Sequence, residues 1–259
     1  MGVKTVAAVG ASVVAAAGGV GGWAWWLARR QHHWKAALAE SIPVNSKYWR
    51  DQSAKHGELL YVAIGDSAAQ GIGASRPAHS YVGFIARRIR SRISKPLRVT
   101  NLGISGATVR IAIDSELPRL AKLNPDIVTV CIGANDIAAW DADRFGREIR
   151  RVLAAVPSHA IVADLPSFYF LPGEKKVLEA NRILRAAAAE FGLEVVPLHE
   201  RTKRQGLWGV TTQFAGDLFH PNDRGYRIWA DAFTPAVDRR LAELGVASVP
   251  ASAGADAER

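Results

Sequence analysis

Three residues that could share one reaction stand far apart in the chain: Ser67 in YVAIGDSAAQGIGA, and Asp217 and His220 in GDLFHPND. A serine hydroxyl is a weak nucleophile that needs a base within hydrogen-bond reach, and the base needs a third group to fix its tautomer. An Asp three residues before a His on one short loop can turn its carboxylate to imidazole Nδ1 and leave Nε2 facing a serine. Pro221 suits the first position of a following helix, which would hold the histidine in place. Attack of a serine on an ester carbonyl also develops negative charge on oxygen, which needs preorganised donors. Three are available: the backbone N–H of Ser67, the backbone N–H of Gly103 in NLGISGAT, and the side-chain amide of Asn135 in IGANDI. Glycine at 103 would let the backbone approach a ligand closely. Together these groups suit acyl transfer through a covalent serine intermediate. Taken singly, each has a plainer reading: Gly-Asp-Ser as a turn, Asn135 or Asp136 as a helix cap, His220 as a surface residue before a proline.

Order along the chain carries the argument that single motifs do not. After Glu58, short β-branched or apolar runs alternate with stretches of helical period. Strands are expected at Leu59–Ile64, Arg98–Leu102, Ile127–Ile132, Ala160–Leu165 and Glu194–Pro197. Helices are expected near Ser80–Ser94, Val109–Leu123, Asp143–Ala155, Glu174–Phe191 and Asn222–Leu244. The alternation predicts an α/β chain with a central parallel sheet covered by helices on both faces, and such sheets carry their sites at the C-terminal ends of the strands. Ser67 follows the first strand, Gly103 the second and Asn135 the third, and Asp217–His220 comes after the fifth. All four therefore fall on one edge of the sheet.

The blocks GDSAAQG, NLGISGAT, IGANDI and DLFHPND, in that order, are similar to those of the SGNH hydrolases, also called GDSL esterases/lipases. The resemblance covers about Leu59 to Leu244. It implies a three-layer α/β/α flavodoxin-like fold around a five-stranded parallel sheet, and hydrolysis of carboxylic esters without metal or organic cofactor. It also implies Ser67 as nucleophile, His220 as base, Asp217 as its partner, and Ser67, Gly103 and Asn135 as oxyanion donors. Ala68 stands where the GDSL name has leucine, a position without a chemical role. Asp66 neighbours Ser67 without being the triad acid and is expected to hold the turn through backbone N–H groups. The chain has no Gly-x-Ser-x-Gly elbow, Walker loop or His-Glu-x-x-His pair, which leaves α/β-hydrolase chemistry, nucleotide hydrolysis and zinc proteolysis without support.

A chain of 259 residues that is 49% hydrophobic can bury the core of one main domain plus appendages. The single cysteine, Cys131, cannot form an intramolecular disulfide and sits in an apolar run suited to the core. A net charge of +9 admits anionic partners, but no recognition motif accompanies it, so nucleic acid is not expected. The densest basic group, Arg87 to Lys95, alternates with Ile85, Ile89 and Ile93 as an amphipathic helix with a solvated charged side would. From Thr5 to Ala28 there is no charged residue, which is enough to cross a hydrocarbon core of about 30 Å. Trp23, Trp25 and Trp26 gather at its end, and Arg29 and Arg30 stop it. Residues 1–30 are therefore expected to be a transmembrane anchor, with a cleaved signal peptide as the alternative; the side of the membrane is left open. A juxtamembrane connector over 31–58, the hydrolase domain over 59–246 and a disordered tail over 247–259 complete the expected organisation.

Two loops bring apolar bulk to the same sheet edge: PSFYFLPG with Phe168, Tyr169 and Phe170, and RTKRQGLWGV with Trp208. These rings are expected to line an acyl site, with Arg201, Lys203 and Arg204 favouring an anionic group; sealing the core is their plainer use. An anchor beside an esterase favours lipid or lysophospholipid-type esters, as in the thioesterase/lysophospholipase-like members of the resembled family. The alternatives are deacylation of carbohydrate at the cell envelope and a membrane-tethered binding module without turnover. Against the last stands the intact Ser-His-Asp set.

Overall fold

A computed structural model of the chain describes residues 29, 34, 37–169 and 173–246. Five parallel strands, β1 Leu59–Gly65, β2 Leu97–Asn101, β3 Ile127–Cys131, β4 Ile161–Ala163 and β5 Glu194–Val196, form one sheet in the order β2-β1-β3-β4-β5. This is the doubly wound, flavodoxin-like order. The central strands β1 (LLYVAIG) and β3 (IVTVC) are buried at every position, as strands covered on both faces must be. The edge strand β2 (LRVTN) alternates between buried and half-buried, and β5 begins exposed.

The two sheet faces carry separate cores. Tyr61 and Ala63 of β1 pack with α3 (Tyr81–Arg90) and α10 (Asp223–Glu243) through Tyr81, Ile85, Ile89, Tyr226 and Phe233. On the other face, Val62 and Ile64 meet α6 (Ala142–Ala155) and α7 (Glu174–Glu190) through Phe145, Ile149, Leu153 and Leu184. The helices start where capping chemistry places them: Ser80 accepts from Gly83 N, Asp141 from Arg144 N, and Asn222 from Arg224 N and Gly225 N.

The expected helix over Val109–Leu123 is interrupted. It runs as α4 (Val109–Ile111), a π-helical turn (Ala112–Glu116) and α5 (Leu117–Leu120). Pro118 has no N–H to give to the turn before it, and Glu116 is fully buried, accepting from Gly65 N at the end of β1. Two short helices that periodicity did not reveal, α8 (Leu198–Lys203) and α9 (Gly206–Thr212), follow β5.

Within the expected connector, residues 37–53 form a helix, α1. It is docked on the domain: Trp49 is buried, and Asn45 Nδ2 and Trp49 Nε1 both donate to Gln70 O, at 3.0 and 3.1 Å. Among the described residues no helix is long and apolar enough to cross a membrane. Apart from Arg29, the expected anchor lies outside those residues, as does the tail 247–259.

Candidate active site

Strand β1 ends at Gly65, where a Cβ would stand 2.7 Å from Cys131 O. The chain then turns through Asp66 into α2 (Ser67–Gln70), closed by Gly71 in the left-handed region. Asp66 caps this helix as expected, its Oδ1 accepting from Ala68 N at 2.9 Å. Burial pushes the Asp66 carboxyl up to about 6 despite that bond. Ser67 is thus the first residue of a short helix at the C-terminal edge of a central strand.

His220 arrives from the other end of the chain on a tight loop. Ala215 N donates to His220 O, Leu218 N to Ala215 O, and Asn222 Nδ2 to Thr212 O and Phe214 O. Leu218 takes a φ of 57° between the two functional side chains. In this turn Asp217 Oδ1 accepts from Phe219 N and His220 N at 3.1 and 3.0 Å, while Oδ2 lies 2.6 Å from His220 Nδ1. His220 Nε2 lies 3.0 Å from Ser67 Oγ. Asp217 is buried, which raises its pKa, but the imidazole and the two N–H groups outweigh burial and leave it below its ordinary value. The carboxylate therefore stays ionised and can hold Nδ1 protonated, leaving Nε2 able to accept the serine proton.

Ser67 N makes no hydrogen bond among the described residues. Asn135, in a 3-10 turn after β3 (Ala134–Ala139), donates from Nδ2 to Ala107 O at 2.9 Å and only distantly, at 3.4 Å, to Asp66 Oδ2. One amide hydrogen is anchored and the other is weakly engaged. Gly103 does not fit the donor role expected of it. Its N–H donates to Asn101 Oδ1 at 3.0 Å, its carbonyl accepts from Gln70 Nε2, and it lines a different cavity from Ser67. Its missing side chain serves packing instead, since a Cβ there would stand 2.7 Å from Ala69 Cβ. Three residues on, Gly106 is exposed at φ 81°, and its N–H makes no hydrogen bond among the described residues. It adjoins Ala107, whose carbonyl anchors Asn135. Its signal in the sequence was the Ser-Gly pair of NLGISGAT, a turn dipeptide beyond the strand rather than at its end.

Ser67, Asn135 and His220 share a cavity of about 400 Å³ whose walls are otherwise largely apolar, with Pro166, Phe168, Tyr169, Val210, Phe214, Leu218, Phe219 and Trp229. Phe168 meets Phe219, and Tyr169 meets Phe214, edge to face. The Phe168–Tyr169 wall is pinned from behind by Glu174, which accepts from Phe168 N at 2.6 Å, from Ser167 Oγ at 3.2 Å, and lies 2.9 Å from His199 Nε2. Phe170 lies outside the described residues. Trp208 is not part of the wall: it is 68% exposed beside Leu207 on the outer face of α9, while Val210 and Gln213 face the cavity. A helical turn separates those faces, so a ring expected to line the cavity is directed to solvent. Arg201, Lys203 and Arg204 do not line the cavity either. The wall residues Phe214, Leu218, Phe219 and Trp229 were missed because they flank the histidine block and read as helix or turn. No group of three His, Cys, Asp or Glu side chains that could hold a metal occurs among the described residues.

The profile of the GDSL-like Lipase/Acylhydrolase family matches residues 63–228. A GDSL-like esterase of Mycobacterium tuberculosis is 25% identical over 201 residues, covering 72% of this chain and 64% of that protein. The chain thus spans less than two thirds of that relative's length. Among solved structures, the acetylxylan esterase Axe2 from Geobacillus stearothermophilus superimposes with a TM-score of 0.56 at 21% identity, covering 70% of this chain and 94% of Axe2. TesA does so with a TM-score of 0.59 at 20% identity, covering 70% of this chain and 99% of TesA. At such identities the structural likeness speaks for the fold. The family match, which runs from β1 into α10 and takes in Ser67, Asn135, Asp217 and His220, places this chain in the GDSL-like lipase/acylhydrolase family.

Proposed function

We propose that the protein is a serine esterase acting on carboxylic esters with extended acyl chains, of lipid or lysophospholipid type. One observation carries the reading: the chain Ser67 Oγ to His220 Nε2 at 3.0 Å and His220 Nδ1 to Asp217 Oδ2 at 2.6 Å opens into a largely apolar cavity of about 400 Å³. Ser67 Oγ attacks the ester carbonyl carbon as its proton passes to His220 Nε2, and Asp217 stabilises the imidazolium. The oxyanion of the tetrahedral intermediate takes the N–H of Ser67, the weakly engaged hydrogen of Asn135 Nδ2 and the N–H of Gly106. The C–O bond to the alcohol then breaks, His220 protonates the leaving oxygen, and an acyl-serine remains. Water attacks the acyl-serine with His220 again as base, and the acid departs as Ser67 regains its proton. The uncharged run Thr5–Ala28 supports tethering of the enzyme to a membrane.

A second reading, removal of acetyl groups from carbohydrate, is favoured by the fold shared with Axe2, which is named an acetylxylan esterase. The scarcity of polar groups in the cavity wall favours the longer acyl chain.

The test is hydrolysis of 4-nitrophenyl esters from acetyl to palmitoyl by the full chain and its Ser67→Ala form. The expected result is turnover that peaks beyond acetyl and disappears in Ser67→Ala. An acetyl optimum moves the assignment to a deacetylase, and turnover equal in the two forms moves it to a binding module.

A further inference from the structure

A second cavity, of about 370 Å³, lies behind the site, between α1 and the C-terminal end of β2. Its walls differ in kind from those of the first. Arg50 of α1 and Arg119 of α5 both line it; neither guanidinium makes a side-chain hydrogen bond or close ion pair among the described residues, and Arg119 acts on the buried Glu116 carboxyl through its charge alone. Ser46, Ser53 and Ser105 contribute hydroxyls that make no side-chain hydrogen bond there either. Gln70, 93% buried, also lines it, and its Oε1 has no donor. Exchanging the oxygen and nitrogen of that carboxamide would not cure this, because Nε2 already donates to Gly103 O at 2.5 Å and the exchange would set two acceptors against each other. A buried acceptor left without a donor costs on the order of 1–3 kcal/mol, and a structure that keeps one needs a reason.

We propose that this cavity is a binding site for a phosphorylated polyol of about the size of a hexose phosphate. Two guanidiniums with no carboxylate in direct contact suit a phosphate, which they can grip through paired N–H donors. The serine hydroxyls suit a ligand with several hydroxyl groups. The volume falls in the range that takes a small molecule rather than a single ion. The site is independent of ester hydrolysis, since neither arginine touches the Ser67 cavity. The same chemistry can come from a free sugar phosphate or from the headgroup of an inositol phospholipid.

Calorimetric titration of the full chain with glucose 6-phosphate, glucose and inorganic phosphate tests the proposal, with sedimentation of phosphatidylinositol and phosphatidylcholine vesicles as the lipid arm. Glucose 6-phosphate is expected to bind saturably and at least tenfold more tightly than glucose or phosphate. The double variant Arg50→Ala/Arg119→Ala, both sites being at the surface, is expected to keep the wild-type near-ultraviolet circular dichroism and lose tenfold or more in affinity. No binding of glucose 6-phosphate but a preference for phosphatidylinositol over phosphatidylcholine vesicles, lost in the double variant, supports the site with the headgroup as its source. Equal binding of phosphate and glucose 6-phosphate overturns the polyol part. Absence of both glucose 6-phosphate binding and phosphatidylinositol preference, or either one surviving the double variant, overturns the site.

Discussion

Leu218 is a branched residue held in the left-handed region, which costs roughly 1–2 kcal/mol. That strain is what bends the chain far enough for Asp217 to collect the N–H groups of Phe219 and His220 while reaching the imidazole. The two glycines of NLGISGAT separate into one that packs, Gly103, and one that is exposed, Gly106, proposed as an oxyanion donor. Gly103→Ala is expected to lower the melting temperature, because its Cβ would strike Ala69. Gly106→Ala meets nothing within 4 Å, but its φ of 81° strains any side chain, so the variant should lose some stability as well as turnover; Asn135→Ala should reduce turnover on the order of a hundred- to a thousandfold. Because alanine keeps the N–H, a loss of stability with wild-type kinetics would mean that the loop absorbs the strain without moving that donor. Glu116 offers a test by stability. Burial, opposed by the N–H of Gly65, pushes its carboxyl from 4.5 up to about 8. The folded protein therefore holds this proton more tightly than the unfolded chain, and stability falls as pH rises from about 4.5 to about 8. Glu116→Gln keeps an acceptor for Gly65 N and is expected to gain in melting temperature over wild type between pH 5 and pH 9. A difference that stays constant with pH would assign the effect to packing.

The strands and long helices were legible because their patterns are unambiguous. β1, β3, α6, α7 and α10 all lie within a residue of their expected bounds. The π turn was not legible: a buried glutamate at 116 looks, in sequence, like one more solvent-facing position of an amphipathic helix. Ser67, Asn135, Asp217 and His220 could be read because each sits in a short block right after a strand or before a helix, where position follows from chain order. Gly103 and Trp208 could not, since which way a loop N–H or a ring on a seven-residue helix points is decided by tertiary contacts. The loop between β4 and α7 shows how an element shapes the cavity. Glu174, at the start of α7, is a positioning residue for Phe168 and Tyr169. On the esterase reading, Glu174→Ala should raise KM for decanoyl esters several-fold and leave acetyl ester turnover within about twofold. Equal loss on both esters would mean that the glutamate supports the triad rather than the acyl wall.

For the molecule as a whole, the basic charge is partly tied into the architecture. Arg88 and Arg92 of the densest basic run reach Asp238 on α10, and Arg87 lies over the Phe84 ring. The groups proposed to act on the ester are divided between the two cores. Ala68 and Ala69, directly after Ser67, pack into the layer with Tyr81 and Tyr226. Ala107 and Ile137, on either side of the Ala107–Asn135 bond, pack into the layer with Phe145. Ser67 Oγ is thus mounted on one half of the sandwich and the Asn135 amide on the other. Thermal inactivation should coincide with the first loss of near-ultraviolet circular dichroism, whichever layer loosens first; activity persisting past that midpoint would contradict it. In a protein built this way hydrolysis is a reporter of cooperativity: a half-opened chain is already silent, and an active one certifies that both sides of the sheet are closed.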